Sequence, residues 1–383
     1  MKQDSNGSFS KLQRHYHNRM DAARAFHAQG GNVIGLVGNI VPVEFIIAAG
    51  QFPLLIAGTD RQPIPDGDEY LEDIAEWEVR SVFDQVLKGE CEFLDLLIVS
   101  RNYELLFYFL KEIVRQGRNT MVPPLHIYDM IQIQDSTVEA YNRNSTDSLI
   151  LSLERLCGHP LDEDRLLAAV QITNRKRELT RKLLDLRQKG AVSGIEAMQA
   201  IGAGFFMHPK DYCEAMNDYL PTLKPDASIS DRPRLLVTTS EPLHHLNLHE
   251  ALESAGGLVV AEDDWWGTRS AGGDIDENGP LVETIHHKYH ADTASKEIHP
   301  RAAREAWFHG RIQKGDIDAV IFYIPPADGK FGWDYPRLKG QLDKRGIPSL
   351  LIRDDVLDEN AKRNVVLAAT EFISKLHSPD AND

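Results

Sequence analysis

The sequence predicts an α/β protein: two open parallel sheets with a helical segment between them. Three observations carry this. Short β-branched runs bounded by Gly, Pro or polar residues recur near both ends of the chain. Each alternates with a stretch of helical period, the signature of strand–helix–strand crossovers. From Ser136 to about Leu223 the strand pattern stops and apolar residues fall three and four apart.

The first unit opens with GLVGNIVPVEFIIAAGQFPLLIAG, Gly35–Gly58. The run is apolar enough to suggest a membrane span, which needs about 20 apolar residues. Asn39, Pro42 and Glu44 interrupt it early, and Gly50, Gln51 and Pro53 break it again. It divides instead into a strand (NVIGLVG), a turn over Asn39–Val41, a short helix entered at Pro42 and closed by Gly50, and a second strand from Phe52. DLLIVSR (Asp95–Arg101) reads as a strand, NYELLFYFLKEIVRQG as an amphipathic helix, and PPLHIYDMI as a further strand. This α/β domain spans residues 28–135, after a helical extension over 1–27.

Residues 136–231 form the helical segment and a polar linker, PDASISDRP. Within it, the dense charge of NRKRELTRKLLDLRQK reads as a solvated helix face. The second α/β domain, 232–378, contains the strands RLLVTTS, LVVAEDD, DIDAVIFYIPP and IPSLLIRDD, and a closing helix from Asn360; residues 379–383 are a tail. Ligands of open α/β sheets sit beyond the carboxyl ends of strands. Those ends are Gly38-Asn39, Ser100-Arg101-Asn102-Tyr103, Ser240-Glu241, Asp263-Asp264-Trp265-Trp266 and Pro325-Pro326-Ala327-Asp328, expected to face one another across a domain cleft.

Composition removes several classes of function. Net charge is −16, from 58 acidic and 42 basic residues. That argues against nucleic-acid or anionic-membrane binding, which needs clustered Lys and Arg. The N-terminus has no apolar leader, so the expected location is the cytoplasm. Cys91, Cys157 and Cys213 are too scattered for a disulfide framework or zinc ribbon and read as small buried hydrophobes. No phosphate loop is present. His245 and His249 fall four apart on a helix but lack further ligands, and IHHKYH (Ile285–His290) lies in a long polar loop; no metal site is expected on this chain. EDDWWGTR places two tryptophans at a strand end, either as a core pair or as a platform for a flat ligand or another subunit.

With these loops placed, the chain resembles the 2-hydroxyacyl-CoA dehydratase and benzoyl-CoA reductase subunits, over about residues 25–378. The resemblance rests on GNIVPVEFIIAAGQFPLLIAG, LVVAEDDWWGTR, and DIDAVIFYIPPADGKFGWD followed by GIPSLLIRDD. It implies two Rossmann-like domains, a heterodimer of homologous chains, anaerobic radical dehydration or reduction of an acyl-CoA, and an ATP-dependent activator protein. It also implies a 4Fe–4S cluster held by three strand-end cysteines. The positions similar to those cysteines hold Tyr103, Trp265 and Asp328, and the three cysteines present lie elsewhere. Thiolates hold such clusters, so no cofactor is expected on this chain, and the cluster is expected on a partner.

The expected function is therefore a cluster-less subunit of such an enzyme, which need not itself be catalytic, pairing with a cluster-bearing homologue. Tyr103 and Trp265 would fill the vacated volume, and loops around Trp265, Trp266 and Trp333 would form the contact surface. Cleft candidates are Asn39, Glu44, Arg101, Asn102, Tyr103, Asp264, Trp265, Trp266, Arg269 and Asp328. Asn39 sits where some family members place a hydroxyl residue beside the substrate. Its structural alternative is to bond the turn, as Glu44 would favour the helix N-terminus. The alternative function is a non-redox acyl-CoA or small-ligand binding protein; a third is an iron–sulfur enzyme ligated unusually by Asp328 and His.

Overall fold

The structure is a computed structural model that describes residues 5–60, 63–72, 75–133, 135–239, 242–292, 299–326, 328, 331–354, 356 and 358–376. It is mixed α/β, with eight strands in two four-stranded parallel sheets. The strands are β1 (Val33–Val37), β2 (Phe52–Leu55), β3 (Leu96–Ser100), β4 (Leu125–Tyr128), β5 (Arg234–Thr238), β6 (Leu258–Asp263), β7 (Ala319–Tyr323) and β8 (Ser349–Ile352). The chain forms two compact units. The first comprises the described residues of Met1–Leu179, Gly202–Asn217 and Gly272–Arg304; the second those of Thr180–Ile201, Asp218–Ala271 and Glu305–Asp383.

In the first unit the strand order is β2-β1-β3-β4. β1 pairs with β2 on one side (Val33 opposite Phe52) and with β3 on the other (Ile34 opposite Leu96). All five β1 residues are buried, as both faces of a parallel sheet are covered. The loop after β1 leads into a six-residue helix, Val43–Ala48. Pro42 has an extended ψ of 101° and so precedes the helix instead of lying in its first turn. Gly50 ends the segment at φ +72°, a conformation that glycine adopts without strain. Helices Pro65–Leu71 and Trp77–Leu87, left unassigned by the sequence pattern, fill the interval before β3.

The second unit repeats the order, β6-β5-β7-β8. Its core sets Leu236, Ala261, Val320 and Phe322 of the sheet against Phe308 and Ile312 of the helix Arg301–Gln313. In each sheet the chain reverses its direction of growth between the first and third strands. That topological switch point is where doubly wound sheets bind their ligands.

The long helix Glu163–Gln188 contains the charged run expected to face solvent. That expectation fails for two of its arginines: Arg187 is fully buried and Arg177 is 11% exposed, because each meets a buried carboxylate, whereas Arg175 stays 39% exposed beside Glu178. IHHKYH is likewise not in a loop; it lies on the helix Leu281–Ala291. His286 and His290 stack there, and their Nδ1 atoms meet Thr146 Oγ1 (2.8 Å) and Asn142 Nδ2 (2.9 Å) on the helix Ser136–Cys157. His245 precedes the helix Asn247–Ser254 that carries His249, so the two do not share a helix face.

Candidate functional site

At the switch point of the first unit, Gly38 and Asn39 leave β1 and Arg101–Tyr103 leave β3 as a 3-10 turn. Gly38 has φ +90°; a Cβ there would land on Ser100 Oγ and 2.9 Å from the Tyr103 ring. The glycine thus lets the phenol ring lie against the β1 loop. Tyr103 donates its hydroxyl to Glu78 Oε2 at 3.1 Å. Arg101 ion-pairs with Asp129 beyond β4, and Tyr141 donates to the other Asp129 oxygen. Asn102 donates to Gln132 Oε1 at 3.2 Å. Asn39 is half-buried in the turn.

Glu44 is fully buried in the first turn of its helix. Arg177 Nη2 donates to Oε1 at 2.6 Å and Tyr289 Oη to Oε2 at 2.9 Å. Burial pushes the Glu44 carboxyl upward, but the Arg177 charge and these hydrogen bonds hold it below the ordinary range. Arg177 and Tyr289, 133 and 245 residues away, carry no local sequence signal.

The second unit explains EDDWWGTR residue by residue. Glu262, fully buried at the end of β6, receives Arg187 Nη1 (3.0 Å) and Nη2, His249 Nε2 (2.8 Å) and Thr268 Oγ1 (2.9 Å). Burial raises its carboxyl, yet Arg187 and His249 outweigh that and hold it far below normal. Asp263 accepts from Arg269 Nε (2.6 Å) and Thr238 Oγ1 (3.1 Å); the Arg269 guanidinium also lies 5.1 Å from the Trp307 ring centre. Asp264 accepts from the backbone N–H of Leu243 and of Gly267, each at 2.7 Å. Burial, with the Glu262 charge second, pushes Asp264 up to about 6. A Cβ on Gly267 would lie 2.7 Å from Glu262 Oε2 and 2.8 Å from Asp264 Oδ1, so only glycine leaves both carboxylates room.

Trp265 and Trp266 are 8% and 0% exposed and meet edge-to-face. Burial makes them a core pair and removes them from the surface at which they were expected. Trp333, at 86%, is the indole that faces outward. Asp328 is buried beyond β7, where its Oδ1 accepts from Phe331 N at 2.8 Å. Ser240, Glu241 and Ala327 lie outside the described residues.

Fold and loops together define a doubly wound α/β protein whose strand ends are rich in internally paired carboxylates and aromatic rings. A profile of the family described as 2-hydroxyglutaryl-CoA dehydratase, D-component, matches residues 39–370. The chain is 19% identical to the (R)-phenyllactyl-CoA dehydratase beta subunit of Clostridium sporogenes, over 90% of this chain and 92% of that one. It is also 19% identical to the beta subunit of (R)-2-hydroxyglutaryl-CoA dehydratase of Acidaminococcus fermentans (86% and 89% covered), and 21% identical to the putative dehydratase subunit YjiM of Escherichia coli (85% and 87%). The chain belongs to the 2-hydroxyglutaryl-CoA dehydratase D-component family. It is a subunit of 2-hydroxyacyl-CoA dehydratase type, and these relatives are subunits of multi-subunit dehydratases.

The residues present do not fit the 4Fe–4S cluster that the family resemblance implies. Tyr103, Trp265 and Asp328, the residues that the sequence reading set against the family's cysteines, supply a phenol bonded to Glu78, an indole packed on another indole, and a carboxylate capping a turn. The thiols belong to other elements of the chain: Cys91 falls between the helix Trp77–Leu87 and β3, Cys157 ends the helix Ser136–Cys157, and Cys213 lies within the helix Pro209–Tyr219. Burial pushes the Cys91 thiol up to about 12, which disfavours the thiolate that iron requires. No helix among the described residues is long and apolar enough to cross a membrane.

Proposed function

We propose that this chain is the cluster-less subunit of a cytoplasmic 2-hydroxyacyl-CoA dehydratase-type or benzoyl-CoA reductase-type enzyme. It pairs with a homologous chain that carries the 4Fe–4S cluster and takes part in binding an acyl-CoA. The observation that carries this reading is the chemistry of Tyr103, Trp265 and Asp328. Each is committed to packing or hydrogen bonds within its own unit, and none supplies a thiolate. In this reading the chain contributes shape and closure, and an ATP-dependent activator protein delivers electrons to the partner.

Iron and acid-labile sulfide on protein purified without oxygen, alone and with co-purifying chains, test the proposal. Iron found only with a partner is the expected result. About four irons on the isolated chain, as one 4Fe–4S cluster requires, would overturn it. An iron-free preparation in both cases, with an acyl-CoA bound by the chain alone, would favour a non-redox binding protein on the same scaffold.

A further inference from the structure

The second unit has a cavity at the opposite end of its sheet from the strand-end loops. It measures about 640 Å³ and lies where Arg234 opens β5 and Asp318 and Pro348 precede β7 and β8. That volume suits a mid-sized organic ligand. Arg232 directs Nε to the Ser228 carbonyl (2.8 Å) and Nη1 to the Glu253 carbonyl (3.4 Å). Arg234 directs Nε to the Asp316 carbonyl (2.8 Å) and Nη2 to Gln188 Oε1 (2.5 Å). All four acceptors are neutral, and no carboxylate among the described residues ion-pairs with either arginine. Both guanidinium groups are therefore oriented without being neutralised, in a chain whose net charge is −16.

Two carboxylates also line the cavity, and their local bonds are accounted for. Asp318 Oδ2 accepts the Arg234 N–H at 2.7 Å, and Asp231 Oδ1 accepts from Ser230 Oγ at 3.1 Å. Lys375, which pairs with exposed Glu371, adds a third cation at the rim. Pro233, Pro348 and Phe372 supply an apolar wall. Arginine donors suit phosphate oxygens, and an aromatic face suits a planar base.

We propose that this cavity binds a purine nucleoside phosphate, its phosphate on Arg232 and Arg234 and its base against Phe372. The same chemistry occurs in a free nucleotide and in the adenosine end of a coenzyme A thioester. This site is independent of the cluster-less reading.

Isothermal titration of the full chain with ADP, coenzyme A, adenosine and inorganic phosphate tests it. ADP or coenzyme A should bind at least tenfold more tightly than adenosine or phosphate. Arg232→Gln and Phe372→Ala should each weaken that binding at least tenfold, and Lys375→Ala by less than threefold. Circular dichroism and a urea midpoint establish that each variant folds, and Arg234→Gln serves as a second arginine variant. Tighter binding of coenzyme A than of ADP assigns the coenzyme as the source; equal or weaker binding assigns the free nucleotide. Adenosine or phosphate binding as tightly as ADP would overturn the proposal, as would undiminished binding by folded Arg232→Gln and Arg234→Gln.

Discussion

Arg187 and Glu262, 75 residues apart in sequence, meet as a fully buried two-pronged ion pair. The arginine also donates Nε to the Val259 carbonyl at 2.6 Å, so it joins the end of the long helix to two points on β6. Removing one partner of such a pair leaves the other charge buried without its counter-ion, which costs about 3–5 kcal/mol, and here His249 and Thr268 remain as the other partners of Glu262. Arg187→Met is expected to lower stability by that order. The double variant Arg187→Met/Glu262→Gln should recover part of the loss. Urea midpoints of the single and double variants check the non-additivity.

Asp264 gives the second unit a pH dependence of definite sign. Its folded value of about 6 lies above the ordinary 3.8, so between pH 4 and 6 the folded chain holds a proton that the unfolded chain has released. This group's contribution therefore falls as pH rises through that window, by up to about 1.4 kcal/mol per pH unit. Asp264→Asn sacrifices one of the two backbone hydrogen bonds and should be less stable than wild type near pH 4. The difference should shrink toward pH 6, as measured by urea unfolding at a series of pH values.

His286 acts in the opposite direction. Burial first, then the neighbouring His290 and Arg143 charges, lower it from 6.5 to about 4. Between those values the unfolded chain binds the extra proton, so this group's contribution falls as pH falls. His286→Asn keeps a polar group toward Thr146 and should flatten the acid side of the stability profile by about 1.4 kcal/mol per pH unit. Thermal or urea unfolding from pH 6.5 to 4 tests this.

Trp333 is exposed on a short turn held by hydrogen bonds: Phe331 is buried, Asp328 accepts the Phe331 N–H, and Asp334 N donates to the Phe331 carbonyl at 3.0 Å. Trp333→Ala should leave stability within about 0.5 kcal/mol of wild type, as surface changes do. If a partner chain covers this indole, the same variant should weaken co-purification at least tenfold, the scale of an interfacial anchor. Sedimentation velocity of the co-expressed chains, with and without the substitution, reads the effect.

Much of the fold was legible because a buried parallel strand announces itself. VIGLV and LLIVS are nearly continuous β-branched or aliphatic runs, and Gly50 and Gly117 mark the ends of the helices that follow. The helix Leu281–Ala291 was not legible, because its buried face carries histidines whose partners lie on another helix about 140 residues earlier. Burial of Arg177 and Arg187 was hidden for the same reason. A charged residue reads as solvated until the distant carboxylate that accompanies it into the interior is known. In the strand-end loops the sequence exposed EDDWWGTR as unusual but left open whether its indoles were core or surface. Only their packing decides that.

The chain enters and leaves each compact unit more than once. The helix Glu163–Gln188 begins in the first and ends in the second, and Gly272–Arg304 returns to the first after β5 and β6 have been laid down. During synthesis the first unit therefore cannot be completed until Arg304 has emerged, by which time half of the second sheet is already available to pair. Neither unit can be produced by cutting the gene once. An expression fragment ending near Pro233 would leave the first unit without the segment that carries Tyr289, and Glu44 without one of its two side-chain donors.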